Sequence, residues 1–130
     1  MPRVPAKVLI AEDEPELRGL IRMALEVEPF ELFEAADAGA ALEVARRERP
    51  DLILLDRRMP GGDGLDVCRA LRADPRTAPS KIVLLTVRAQ NVDRLEGFRA
   101  GADDYVAKPF SPTQLAEKVH AVLGREEEPA

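Results

Sequence analysis

The chain has 130 residues, 45% of them hydrophobic, and its 19 basic and 24 acidic side chains leave a net charge of −5. This suits one domain with its own core, and the one cysteine excludes an internal disulfide framework and fits a reducing, cytoplasmic compartment. Lys and Arg are scattered among acids, which disfavours a nucleic-acid surface; no apolar run approaches the ~20 residues that span a bilayer, and the first apolar stretch ends in acids where a signal peptide would have its cleavage site.

In chain order, KVLIA (Lys7 to Ala11) reads as a buried strand. Glu16 to Val27 carries Leu17, Leu20, Ile21, Ala24 and Leu25 on one face and has Pro15 in its first turn, which predicts an amphipathic helix. FELFEA (Phe30 to Ala35) alternates, as a more exposed strand does, and Ala38 to Arg49 returns to helical period. LILL (Leu52 to Leu55) is a second buried strand. GLDVCRALRA (Gly64 to Ala73) spaces Leu65, Cys68 and Leu71 by three, so Cys68 is a core residue and not a nucleophile.

KIVLL (Lys81 to Leu85) is a further strand, Val92 to Ala100 a helix ended by Gly101, and DYVA (Asp104 to Ala107) a short strand. The last helix has Ser111 as N-cap, Pro112 at its first position and Gly124 as its close. His120 on this helix, near Lys118, is expected at the surface, because no nearby residue completes a metal site. Gly61, Gly62 and Gly64 read as turn residues permitting positive φ, and Glu126 to Glu128 as a solvated tail. Five strands alternating with helices predict an α/β domain with a parallel sheet covered on both faces.

The unusual residues gather at one kind of place. In LILLDRRMPG an acid, Asp56, ends a run of aliphatics; Glu12 to Glu14 follow the first strand, Thr86 ends the fourth and Lys108 the fifth. All are carboxyl ends, the edge at which open α/β sheets bind ligands. Glu12, Asp13 and Asp56 brought together would repel and raise one another's pKa unless a cation neutralised them, and hard carboxylate oxygens suit Mg²⁺. A lysine, a hydroxyl and a metal around one carboxylate are the parts of phosphoryl transfer, with Asp56 as nucleophile and an aspartyl phosphate as product. A dehalogenase-type phosphohydrolase would need a second Asp where this chain has Arg58. A nucleotide- or flavin-binding domain would need a glycine-rich cradle where it has EDEPE.

LIAEDE, LILLDRRMPGGDG, IVLLT and GADDYVAKPFS, in this order and spacing, resemble the receiver domain of two-component response regulators. The resemblance covers about residues 5 to 123 of a single domain, with 124 to 130 an acidic tail or the start of a linker. It implies a flavodoxin-like fold with five parallel strands in the order 2-1-3-4-5. It implies Asp56 as phosphoacceptor, Asp13 as direct Mg²⁺ ligand with Glu12 beside it, and the backbone carbonyl of Arg58 as another ligand. Lys108 would contact the phosphoryl oxygens, the Lys108-Pro109 bond would be cis, and Thr86 and Tyr105 would form a switch pair.

The partner so implied is a histidine kinase or phosphotransfer protein. An atypical receiver acting as an interaction module without phosphorylation is the alternative. GADDYVAKPFSPTQLAEKV is closest to the winged-helix, OmpR/PhoB-type branch, whose receivers pair through the face of helix four, strand five and helix five. Arg94, Glu96, Asp103, Asp104 and Lys118 lie on those elements. Arg57 and Arg58 are either solvated loop residues or partner contacts. One departure stands out: Val87 follows Thr86 where such receivers usually have Ala or Gly, and its branched side chain is expected to crowd access to Asp56.

Overall fold

A computed structural model describes residues 5–87 and 91–124 of the chain. The acidic run at Glu126 to Glu128 lies outside the described residues. The elements are β1 (Lys7–Ala11), α1 (Pro15–Glu26), β2 (Glu31–Ala35), α2 (Ala38–Glu48), β3 (Leu52–Asp56), β4 (Arg58–Met59), β5 (Gly62–Asp63), α3 (Gly64–Ala73), β6 (Lys81–Thr86), α4 (Asn91–Ala100), β7 (Asp104–Ala107) and α5 (Pro112–Leu123). β1, β2, β3, β6 and β7 form one parallel sheet in the order β2-β1-β3-β6-β7. With the two-residue strands β4 and β5 left out of the numbering, this is the expected 2-1-3-4-5 order of a flavodoxin-like fold. β4 and β5 pair antiparallel as a small hairpin after Asp56, which the sequence did not announce.

Side-chain alternation along the central strands builds two cores. Leu9, Ile53, Leu55, Ile82 and Leu84 face α2 and α3, meeting Ala41, Ala45, Leu65, Cys68 and Leu71. Val8, Ile10, Leu52, Leu54, Val83 and Leu85 face α1 and α5, meeting Ile21, Leu25, Leu115 and Val119. Each such aliphatic side chain contributes about 1.5–3 kcal/mol on burial, so the strands that read as continuous apolar runs are the ones sandwiched on both faces. β2 is an edge strand with exposed Glu31 and Glu34, in keeping with its alternation.

Ser111 is the N-cap the sequence suggests, and Asp37 and Asp63 are further caps, on α2 and α3. Asp37 accepts the Ala40 N–H at 2.7 Å, Asp63 accepts the Leu65 N–H at 2.8 Å, and Ser111 forms a reciprocal capping box with Gln114 before Pro112. α4 begins one residue earlier than expected, at Asn91. Cys68 is fully buried, and burial pushes its thiol up to about 11, so it is inert core. His120 is half-buried, with Nε2 2.8 Å from Glu28 Oε1 and its ring against Phe30, so it ties α5 to the turn after α1. Among the described residues no helix is long and apolar enough to cross a membrane.

Gly61 and Gly62 do adopt positive φ, at 89° and 157°. Gly64 does not, and the reason for glycine there is space. A Cβ at Gly64 would lie 2.7 Å from both the Asp56 carbonyl oxygen and the Arg57 Cα, where its own N–H bonds the Arg57 carbonyl at 2.7 Å.

Candidate functional site

Parallel strands place their carboxyl ends along one edge, and β1, β3, β6 and β7 deliver Glu12, Asp56, Thr86 and Lys108 there. Glu12 continues the line of β1, its N–H donating to the Ala35 carbonyl at 3.0 Å, and its side chain is almost wholly buried. Asp13, the next residue, is exposed. Asp56 is the last residue of β3 and is buried, with Oδ1 accepting the Arg58 N–H at 3.0 Å. The carboxylates of Glu12, Asp13 and Asp56 each offer an oxygen within 4.8 Å of the others.

Lys108 arrives from the end of β7, where its N–H bonds the Thr86 carbonyl at 2.8 Å. Its Nζ lies 3.0 Å from Asp56 Oδ2 and 3.1 Å from Glu12 Oε1, bridging the two buried acids. Lys108-Pro109 is cis.

The electrostatics follow from this crowding. Burial raises the Glu12 carboxyl to about 7; the hydrogen bond and charge of Asp56 add to the rise, while the Glu14 N–H and Lys108 oppose it. Burial by itself would lower the Lys108 ammonium, but its hydrogen bonds and attraction to Asp56 and Glu12 prevail and hold it above its ordinary value. Two buried carboxylates therefore share one ammonium, with the Asp13 carboxylate close by. A donor set of hard oxygens with charge to spare fits a divalent cation such as Mg²⁺.

Thr86 is buried and Tyr105 half-buried, and both line a cavity of about 10 Å³ with Leu84, Gly97, Phe98 and Arg94. The Arg94 guanidinium lies over the Tyr105 ring, 4.6 Å from its centroid. The cavity has room for a water molecule at most. Val87 is 68% exposed and, with Leu17, Leu20, Pro109 and Phe110, lines an apolar groove that also includes Lys108. Arg57 is largely covered and faces Glu96 at 3.8 Å, whereas Arg58 is exposed at the start of the hairpin.

Glu12, Asp13, Asp56 and Lys108 come together, while Thr86 ends the adjacent strand β6 and lines the cavity beside Tyr105. Two contributors escaped sequence reasoning. Gly64 looked like a turn glycine but keeps the backbone of Asp56 and Arg57 clear. Arg18 lies outside the apolar face predicted for α1, and its Nη1 bonds the Glu12 carbonyl at 2.8 Å. The spacing of Arg18 and Arg22, one turn apart and opposite an acidic edge strand, was the available signal.

Known proteins resemble this chain in sequence and fold. The profile of the response regulator receiver domain matches residues 8–120. The chain is 44% identical over 125 residues to the DNA-binding response regulator MtrA of Mycolicibacterium smegmatis, covering 95% of this chain and 54% of that protein. It is 42% identical to the transcriptional regulatory protein ResD of Bacillus subtilis, over 92% of this chain and 48% of that one. The chain thus spans about half the length of these curated relatives. Among solved structures, chemotaxis response regulator CheY4 of Vibrio cholerae superposes with a TM-score of 0.86 at 31% identity, covering 90% of this chain and 98% of that one. The receiver domain of sensor histidine kinase PA1611 from Pseudomonas aeruginosa, with a magnesium ion in its active-site cleft, gives 0.83 at 33% identity, covering 92% and 98%.

Proposed function

This chain belongs to the response regulator receiver domain family and is a phosphoacceptor signalling domain, and from that premise we propose that Asp56 is the residue phosphorylated. The observation that carries the proposal is the bridge from Lys108 Nζ to Asp56 and Glu12, inside a cluster of three carboxylates. Glu12, Asp13, Asp56 and the Arg58 carbonyl would hold Mg²⁺, which when bound neutralises charge on the phosphoryl oxygens.

The donor is a histidine kinase or phosphotransfer protein. A carboxylate oxygen of Asp56 forms the new bond to phosphorus, and the bond from phosphorus to the donor imidazole breaks, its electron pair leaving with the nitrogen. Lys108 stays beside the acyl phosphate and compensates its charge, and the Thr86 hydroxyl donates a hydrogen bond to a phosphoryl oxygen. The Arg58 N–H holds one carboxylate oxygen of Asp56, and the close approach at Gly64 packs the backbone behind it. The chain's catalysis is confined to its own phosphorylation and dephosphorylation, in the cytoplasm.

Output passes from Thr86 to Tyr105 and on to the face of α4, β7 and α5. Leu95 and Phe98 are 49% and 43% exposed on α4, and Asp104 pairs with Lys118 at 3.0 Å. A two-fold homodimer through this face would use these groups; Asp103 contributes less, because its carboxylate is taken by Arg72 and the Ile82 N–H. The chain itself does not bind nucleic acid. By analogy with its longer relatives, the output is control of transcription.

Incubation with Mg²⁺ and acetyl phosphate tests the proposal. One phosphoryl group is expected in the wild type by mass spectrometry, and none in Asp56→Asn or with EDTA. Equal incorporation into Asp56→Asn overturns it. Sedimentation before and after phosphorylation tests the dimer, which a monomer in both states excludes.

A further inference from the structure

The Asp13 carboxylate is exposed and, among the described residues, accepts no hydrogen bond or ion pair, unlike Glu12 and Asp56. Its aim is therefore set by its backbone. Glu12 is held through both of its main-chain groups: its N–H by the Ala35 carbonyl at 3.0 Å, and its carbonyl, which belongs to the peptide that joins Glu12 to Asp13, by Arg18 Nη1 at 2.8 Å.

Arg18 is itself braced. Its Nε donates to Glu34 Oε1 on edge strand β2 at 2.8 Å, and the other Glu34 oxygen accepts from Arg22 Nη1 at 2.6 Å. Arg22 Nε in turn reaches Glu26 at 3.2 Å. As surface ion pairs these contacts contribute roughly 0–1 kcal/mol each. Their significance lies in where the Arg18 fork ends, with one arm on a β2 side chain and the other on the main chain of the acidic loop. A rigid guanidinium holds both at fixed separation, which a flexible ammonium does not.

We propose that Arg18, braced by Glu34, is a positioning residue for Asp13 that raises the affinity of the acidic site for Mg²⁺ by fixing the Glu12-Asp13 peptide. The proposal rests on Glu12, Asp13 and Asp56 being the cation site. It has a sign that simple charge does not share. A cation near a cation site disfavours binding through Coulomb repulsion, so loss of Arg18 would tighten Mg²⁺ on that ground alone. Loss of the bracket weakens it.

The experiment is a Mg²⁺ titration of the whole chain, followed by calorimetry and by the NMR shift of the Asp13 amide. Arg18→Gln is expected to bind about five- to tenfold more weakly, the net equivalent of one ordinary hydrogen bond. Glu34→Gln, a half-exposed isosteric change that leaves the arm to the carbonyl intact, is expected to bind about two- to threefold more weakly, in line with partial loss of the brace. Arg18→Lys should fall between wild type and Arg18→Gln, and the double variant should be no weaker than Arg18→Gln. Equal or tighter binding by Arg18→Gln or Glu34→Gln, beside a wild type that binds, overturns the positioning role and spares the site. A wild type that fails to bind Mg²⁺ overturns the site and this role together.

Discussion

The two edges of this sheet handle charge in opposite ways. At the amino edge Arg72 of α3 is one cation amid a surplus of acceptors: it donates to the carbonyls of Gly101, Ala78 and Ser80 and to Asp103, whose Oδ2 also accepts the Ile82 N–H. Nearby, the Ser80 hydroxyl bonds the Pro50 carbonyl, the Thr77 hydroxyl the Leu71 carbonyl, and Asp51 the Lys7 N–H. At the carboxyl edge three carboxylates cluster around a single ammonium that pairs with two of them, and Glu12 is pushed up to about 7. The amino edge uses charge to close the fold. The carboxyl edge keeps lone pairs and negative charge in reserve, an arrangement that costs stability and is relieved when a ligand supplies the missing cation.

The comparison can be pressed hardest at Arg72. Arg72→Met leaves several carbonyls and Asp103 without their donor and should lower stability by about 2–3 kcal/mol in urea unfolding, with Mg²⁺ affinity unchanged. An equally stable variant would show that the network does not close the amino edge. Gly64→Ala is the variant expected to damage both functions of the chain. Its Cβ meets backbone of Asp56 and Arg57 at 2.7 Å, so it should cost about 2 kcal/mol and also slow phosphorylation by acetyl phosphate. A loss of stability with an unchanged phosphorylation rate would uncouple Gly64 from the site.

At the carboxyl edge the effect should fall on ligand and spare the fold. Asp13→Ala is expected to weaken Mg²⁺ by roughly tenfold, about 1.4 kcal/mol, while the urea midpoint stays or rises; calorimetry and unfolding measured on one sample decide it. The smallest effect belongs to Val87, which is exposed at the rim of the groove that includes Lys108. Val87→Ala should shorten the phosphoryl lifetime by about twofold, some 0.4 kcal/mol of barrier, by opening the path for water. A lifetime unaltered or lengthened would mean that Val87 does not limit access.

Much of this protein was legible in its sequence because local patterns repeat. The apolar runs at Val8 to Ala11, Leu52 to Leu55 and Ile82 to Leu85 marked strands buried on both faces, Pro15, Pro112, Ser111 and Gly124 marked helix ends, and the polar residues interrupting strand ends marked the site. Which of those polar groups touch was decided only in three dimensions. Lys108 reaches Glu12 across 96 residues and His120 reaches Glu28 across 92. Gly64 serves space where a turn conformation was expected, and Arg18 turns from a helix surface to a main-chain carbonyl. Periodicity assigns a residue to a face of its own element. Contacts between elements depend on how far each strand and helix slides along its neighbour, a distance set by the packing of the two cores and carried by no pattern within a single segment.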